Sequence, residues 1–327
     1  MTTIRDVGKL AGVSVATVSR LLNQSGYVSK EAEMAITEAI EKLNYKPSNI
    51  ARSLAGKQTA TVALMVPDIL NPFFPEIARA AEDAAAGHGF TLVLCNTDNN
   101  PEKEKKYVEA LVRKRIDGII ISSYTMHPQQ ILDLQKRSIP VVALDKAFPE
   151  DPIVCVTTAN RQGGELASRH LLERGCRKIA HICGPAHVDS ARERTLGYEQ
   201  ACAAQPWYTP SLIASGSFTV KDGYRAMHDI WQQHPDVDGV FAGNDLMAAG
   251  ALRALTELGV RVPQQVRLIG FDGIRMEMVY PEISTVSQQI YQVGHTAMNL
   301  LIRMIHGEPV ERVTYELDVE LLLKGTT

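Results

Sequence analysis

TVALMVPDILNPFFPEIARAAEDAAAGHGFTLVLCN (residues 61–96) decides the fold class. TVALMVP is an unbroken apolar run of strand length. Residues 74–88 carry a helical pattern, and FTLVLCN is a second apolar run. A strand that is apolar on both faces belongs inside a sheet covered on both sides. Onward the alternation repeats: a helix over 102–114, the strand DGIIISS, a helix near 129–137 and the strand PVVALD. Repeated β–α units predict a parallel sheet wrapped by helices.

A second run begins near Ile153. It reads IVCVT, helix 161–173, KIAHICG, helix 191–203, helix 221–232, GVFAG, helix 246–258 and VRLIGFD. The strand STVSQ and a helix over 291–305 follow, and VTYELDVELLLK closes with strand-like alternation. The chain therefore reads as two α/β lobes. The expected divisions are an N-lobe of about 61–158 and 290–318, and a C-lobe of about 159–289 and 319–327. In open α/β sheets ligands bind beyond the carboxyl ends of strands. NPFF stands there after the first strand, Asp145 and Lys146 after PVVAL, Asn244 and Asp245 after VFAG. Asp272 ends VRLIGFD and Gln288 ends STVSQ. With two lobes, these groups can meet from both sides of one cleft.

Upstream the texture differs. IRDVGKLAGVSVATVSRLL (4–22) reads as two short helices about a turn. Ile4, Val7, Leu10 and Ala11 recur at helical spacing, Gly12 breaks the helix, and Ser14 is a good N-cap for a second one. Thr17 stands where a strict capping box would hold Glu or Gln. Val18, Leu21 and Leu22 can face the first helix. Val15, Ala16, Thr17, Ser19 and Arg20 are then left outside, the layout of a helix-turn-helix offering its second helix to a DNA groove. A helical hairpin buried in an unrelated bundle is the competing reading. Ser29 caps a third helix over 30–43, and Pro47 ends the head at about residue 46. SNIARSL (48–54) has the length of two helical turns, too few to hold in water unaided. It is expected to order only against something else, within a linker of 47–60.

The 327 residues carry 45% hydrophobic side chains and a net charge of −3. Residues 1–60 hold eight Lys/Arg against five Asp/Glu, so polyanion binding is confined to the head. That charge is modest, which calls for two heads and hence a dimer. No apolar run is long enough for a membrane span and no signal peptide opens the chain, so a cytoplasmic, nucleoid-associated protein is expected. Five scattered cysteines fit reduced thiols. His181, Cys183 and His187 lack a fourth ligand for zinc, and no phosphate-binding loop occurs. No cofactor and no metal is expected.

TIRDVGKLAGVSVATVSRLLN, YKPSNIARSL, NPFF, GNDLMAAGAL and VRLIGFD, in that order, resemble the LacI/GalR family of bacterial transcription regulators over essentially the whole chain. The resemblance implies a periplasmic-binding-protein-like (type I) regulatory domain, similar to the ribose-binding type. It implies that Val15, Ala16 and Arg20 reach base edges in pseudo-palindromic double-stranded operator DNA, with Thr17 and Ser19 nearby and partly facing phosphates. Thr3, Ser14, Asn23, Tyr45, Ser48 and Ala51 complete the implied DNA set. Residues 48–54 look like the family's hinge helix, with Leu54 as a minor-groove wedge. Position 55 is Ala where several members place Lys. For the effector it implies Asn71, Phe73, Phe74, Asp145, Lys146, Arg194, Phe218, Asn244, Asp272 and Gln288, a set suited to a small polyol. Lys146 stands where the ribose-binding type has Arg. The implied function is a homodimeric repressor that is no enzyme, released from its operator by ribose or a related small sugar. A corepressor such as a purine, or a cytosolic sugar-binding protein or enzyme, stands as the alternative.

Overall fold

The structure is a computed structural model, and it describes residues 2–22, 26–45, 59–146, 148 and 150–327. The expected hinge helix at 48–54, and with it Ser48, Ala51 and Leu54, lies outside the described residues, as does Asn23. The chain divides into two compact units, 1–59 and 60–327.

In the first unit, α1 (Ile4–Ala11), α2 (Val15–Leu22) and α3 (Lys30–Lys42) close on Val7, Val18, Ile36 and Ala39. The caps do what their chemistry allows. Asp6 accepts from both the Thr3 amide and hydroxyl at 2.8 and 2.7 Å. Ser14 Oγ accepts from the Thr17 amide at 3.1 Å and lies 2.9 Å from the Thr17 hydroxyl, so Thr closes the cap without a carboxylate. Ser29 Oγ accepts from Ala32 N. One expectation fails. Leu10 is 52% exposed. Gly8 takes the buried place instead, because a Cβ there would sit 3.0 Å from the Val13 carbonyl oxygen.

The second unit holds two six-stranded sheets. The first combines β1 (Thr61–Val66), β2 (Thr91–Asn96), β3 (Gly118–Ile121), β4 (Val141–Leu144), β5 (Val154–Thr158) and β11 (Thr314–Leu317), in the order β11-β5-β4-β3-β1-β2, all parallel. The second combines β6 (Ile179–Cys183), β7 (Ile213–Ser215), β8 (Gly239–Ala242), β9 (Arg267–Asp272), β10 (Ser284–Ser287) and β12 (Glu320–Leu322), in the order β12-β10-β9-β8-β6-β7. Only its β10–β12 pair, among the described strands, is antiparallel. The chain thus crosses between sheets after β5, after β10 and after β11.

Helices α4 (Phe73–Gly87), α5 (Pro101–Arg113), α6 (Pro128–Lys136) and α11 (Ile290–Ile305) cover the first sheet. Helices α7 (Asn160–Glu173), α8 (Asp189–Cys202), α9 (Val220–Gln233) and α10 (Asp245–Glu257) cover the second. The central strands β1, β3, β4 and β8 are buried almost throughout, as a doubly covered parallel sheet requires. VTYELDVELLLK is two strands, Thr314–Leu317 and Glu320–Leu322, in different sheets, and the lobe division expected at 318/319 falls between them. Alternation reports a pleat and says nothing of which sheet receives it. The segment before α9 also holds β7 and a turn of 3-10 helix, Pro210–Leu212, too short to leave a period.

One packing detail positions the site. Helices α7 and α8 approach so closely that a Cβ on Gly164 would lie 2.2 Å from the Arg194 carbonyl oxygen, and one on Gly197 would lie 2.1 Å from that of Arg161. Glycine at both positions lets α8 settle deep, and Arg194 reaches the carboxyl ends of the strands.

Candidate functional site

The carboxyl ends of both sheets converge on one cavity in the second unit. It is lined by Asn71, Phe73, Phe74, Tyr124, Asp145, Ser190, Arg194, Phe218, Asn244, Asp272 and Gln288. Nine of the ten residues expected at an effector site are in that lining. Lys146 is not brought there: its ammonium lies 5.4 Å from the centroid of the Phe148 ring. Asp145 has φ +60°, so the chain turns at the end of β4 and the next side chain leaves the cleft.

Arg194 anchors the arrangement. It is 3% exposed. Its Nε donates to Asn160 Oδ1 at 2.8 Å, and its Nη1 donates to the Gly243 carbonyl at 2.7 Å and to Asp272 Oδ1 at 3.3 Å. The guanidinium carbon stacks 3.8 Å from the Phe271 centroid, so packing and hydrogen bonds both hold it. Gln288 Nε2 donates to the same Asp272 oxygen at 2.6 Å, and Gln288 Oε1 accepts from the Thr158 hydroxyl at 2.7 Å. Thr158 ends β5 and Gln288 follows β10, so a single network joins the cleft to two of the three sheet crossings.

Burial pushes the Asp272 carboxyl up to about 7, against the pull of Arg194. Burial also raises Asp145, opposed by Arg194 and by hydrogen bonding from Ser190 and Asn160. The Asp272 carboxyl can therefore give as well as take a hydrogen bond near neutrality.

The walls are aromatic. Phe73 and Phe74 meet edge to face, centroids 5.1 Å apart. Both belong to the apolar core and both line the cavity, so core and pocket are one surface here. Phe218 lies so close to Gly184 that a Cβ there would meet its ring at 2.3 Å. Asn244 caps α10 through Oδ1, accepting from Met247 N at 2.9 Å, and its Nδ2 donates to the Phe218 carbonyl at 3.4 Å.

Three lining residues sit at positive φ: Asp145 (+60°), Phe218 (+63°) and Asp272 (+116°). Each such backbone costs on the order of 1–3 kcal/mol, and strain of this kind gathers at functional sites. The free volume enclosed is about 20 Å³, room for about one water. A wider groove of about 650 Å³ shares Asp145 and Ser190 with it. There Arg161 pairs with Glu193 and Arg192 with Asp189, each at 2.7 Å.

Tyr124 and Ser190 escaped the sequence reading. Tyr124 lies beyond β3, at the same end of the sheet as Asn71 and Asp145, and the strand-end rule reaches it. Ser190 stands one helical turn before Arg194 on α8, and that spacing was its signal. His181 is no ligand. It is fully buried, its ring stacked between Tyr198 and Phe241, with Nδ1 2.9 Å from the Phe241 carbonyl and Nε2 3.1 Å from Thr195 Oγ1.

In the first unit Thr3, Ser14, Val15, Ala16 and Arg20 are exposed, and Thr17 and Ser19 half-buried. Tyr45 packs against the head's core with its side chain half-buried. An exposed helical face carrying one Arg and small side chains is the form of a groove reader.

Residues 59–318 match the family described as periplasmic binding proteins and sugar binding domain of the LacI family. Residues 3–48 match the bacterial regulatory proteins of the lacI family. The chain belongs to the LacI family. The ribose operon repressor of Halalkalibacterium halodurans is 44% identical over 328 residues, all of this chain and 97% of that protein. The HTH-type transcriptional repressor PurR of Haemophilus influenzae strain PittEE is 39% identical over 93% of this chain and 91% of its own length. The lac repressor dimer bound to operator and the anti-inducer ONPF superposes with a TM-score of 0.88 at 27% identity, covering 99% of this chain and 98% of that one. This LacI-family protein is a DNA-binding transcriptional repressor and not an enzyme. No described helix is long and apolar enough to cross a membrane.

Proposed function

We propose that this repressor answers to ribose or a closely related small sugar, bound between the lobes and releasing the operator. The observation that carries this is the buried Arg194–Asp272–Gln288 network facing aromatic walls. Aromatic rings suit the C–H faces of a sugar, while carboxyl, guanidinium and amide groups satisfy hydroxyls that both donate and accept. A purine base offers few hydroxyl-like partners for Asp145 and Asp272 together. The 44% identity to a ribose operon repressor favours the same class. Asn71, Phe73, Phe74, Asp145, Arg194, Phe218, Asn244, Asp272 and Gln288 form the effector set in this reading, joined by Tyr124 and Ser190.

A cavity of about 20 Å³ admits a pentose only if the lobes part and re-close around it. The N-lobe is then 61–158 and 290–318, the C-lobe 159–289 and 319–327, and their hinges are the sheet crossings that Thr158 and Gln288 tie to Asp272. Sugar would shift the balance between two lobe arrangements by its differential affinity for them. A coupling of 1–3 kcal/mol, typical of allostery, lowers operator affinity roughly 5–150-fold. On the heads, Val15, Ala16 and Arg20 read bases, Thr3, Ser14, Thr17, Ser19 and Tyr45 support or touch the backbone, and Leu54 wedges the minor groove. The apolar edge of Ile69, Leu70, Val93 and Leu94, all exposed, is a surface for the second protomer. The compartment is the cytoplasm, at the nucleoid.

Calorimetry with a panel of pentoses, hexoses and purine bases, repeated with operator present, tests this. Ribose should bind and operator affinity should drop. A purine that binds and tightens the operator complex, with ribose inert, would overturn it. Asp272→Ala should cost about 1.5–3 kcal/mol of sugar affinity by removing a charged acceptor.

A further inference from the structure

Asp245, the first residue of α10, is 1% exposed and lies directly behind the cleft. Its Oδ2 accepts from the amides of Gly273 at 2.9 Å and Ile274 at 2.7 Å, the two residues that follow Asp272. Its Oδ1 faces Gly270 on β9, where a Cβ would sit 2.2 Å away. One carboxyl group is thus wedged between residue 270 and the turn at 273–274, on both sides of Asp272. The backbone it grips is contorted: Asp272 has φ +116° and Gly273 φ +87°. An aspartate holds such a conformation only where its surroundings over-determine it. Oδ1 has no hydrogen-bond partner among the described residues.

We propose that Asp245 is a positioning residue for the effector site: it clamps the turn that presents Asp272 to Arg194, Gln288 and the ligand. The inference rests on the sugar reading above for the ligand used in its test. Burial and the facing Asp272 push the Asp245 carboxyl well above the ordinary carboxylate range, with Thr285 and the two amides opposing. Both amides donate to the single oxygen Oδ2, and the side-chain amide of Asn offers an accepting oxygen of the same shape at that place, so the clamp is assigned to an oxygen acceptor.

The test uses the full chain with Asp245→Ala and Asp245→Asn. Ribose affinity by calorimetry should fall more than about tenfold in Asp245→Ala, a loss of 1.4 kcal/mol or more. Asp245→Asn should recover to within about threefold of the parent. Hydrogen exchange read on peptides across 270–276 should quicken in Asp245→Ala and return in Asp245→Asn, with the β1–α4 region unaffected. If Asp245→Asn is as impaired as Asp245→Ala, charge and not the clamp acts there, and the proposal is overturned. Parent-like ribose binding by Asp245→Ala overturns it as well. If Asp245→Ala does not fold, Asp245→Asn against the parent still decides. If the parent binds no ribose, the sugar reading fails by itself, and exchange at 270–276 with affinity for whichever panel ligand the parent does bind decides the clamp.

Discussion

The head and the cleft solve recognition in opposite ways. The proposed reading residues Val15, Ala16 and Arg20 are neighbours in sequence, exposed on one helix, and set by ordinary caps. The cleft's lining is drawn from positions 71 to 288, buried or half-buried, and held partly in left-handed backbone. A duplex is larger than the head and keeps its water until contact, so an exposed face with modest positive charge suffices. A sugar must be stripped of water on all sides, so its partners have to be desolvated and fixed beforehand. The head tolerates single losses; the cleft should not.

Arg194→Ala is the strongest attack on that difference. It removes the donor to Asn160 Oδ1 and to the Gly243 carbonyl and leaves Asp272 with Gln288 but without its cation, and breaking a buried ion pair costs about 3–5 kcal/mol. Urea unfolding of the 60–327 unit should show a loss of that size, together with loss of sugar response. A change under about 1 kcal/mol would mean that the cleft is far less dependent on prior fixing than the geometry implies.

Acid separates the units next. His181 is buried with its imidazole held near a pKa of about 4, chiefly by desolvation. The unfolded chain, with an ordinary histidine near 6.5, binds the extra proton first. Stability from this group is full above pH 6.5 and is lost as pH falls toward 4, about 3 kcal/mol in all. Residues 1–59 contain no histidine. The raised Asp272 carboxyl gains its proton in the folded state over the same range and works the other way, so the check is a difference: in thermal melting, the margin of the parent over His181→Gln should shrink between pH 7 and 5.

Arg20→Ala probes the head at its most informative point. If Arg20 reads one base pair directly, binding falls by about 1–3 kcal/mol and preference relaxes at that pair alone. A uniform loss over all operator variants, measured by fluorescence anisotropy, would make it a phosphate contact. Ser14→Ala should be the mildest change. It removes the acceptor for Thr17 N at the start of α2 and costs about 1 kcal/mol of head stability. The exposed face it leaves intact should still bind operator, and loss of binding beyond that stability cost would show the head to be less tolerant than its exposed design suggests.

Asn71, Asp145, Asn244, Asp272 and Gln288 were legible as a group because each follows a strand whose apolar run announces it. Tyr124 and Ser190 were passed over although each had a signal, Tyr124 its place beyond β3 and Ser190 its place one turn before Arg194, because neither stands in a motif. Lys146 was misplaced because side-chain direction after a strand depends on a backbone angle, φ +60° at Asp145, that composition does not disclose. Phe73 and Phe74 belong to the core and to the pocket at once, a double role that only the packed structure assigns.

By itself the sequence determined the local elements: periods of two and 3.6, caps at Ser14 and Ser29, and strand ends marked by polar residues. These depend on interactions within a few residues, which the chain states in order. Only the tertiary structure decided that residue 194 meets residue 272 and that 158 ties to 288. Those pairings are settled by burial and close packing across long loops, as where Gly164 lets a helix backbone in, and a pattern along the chain carries no record of them.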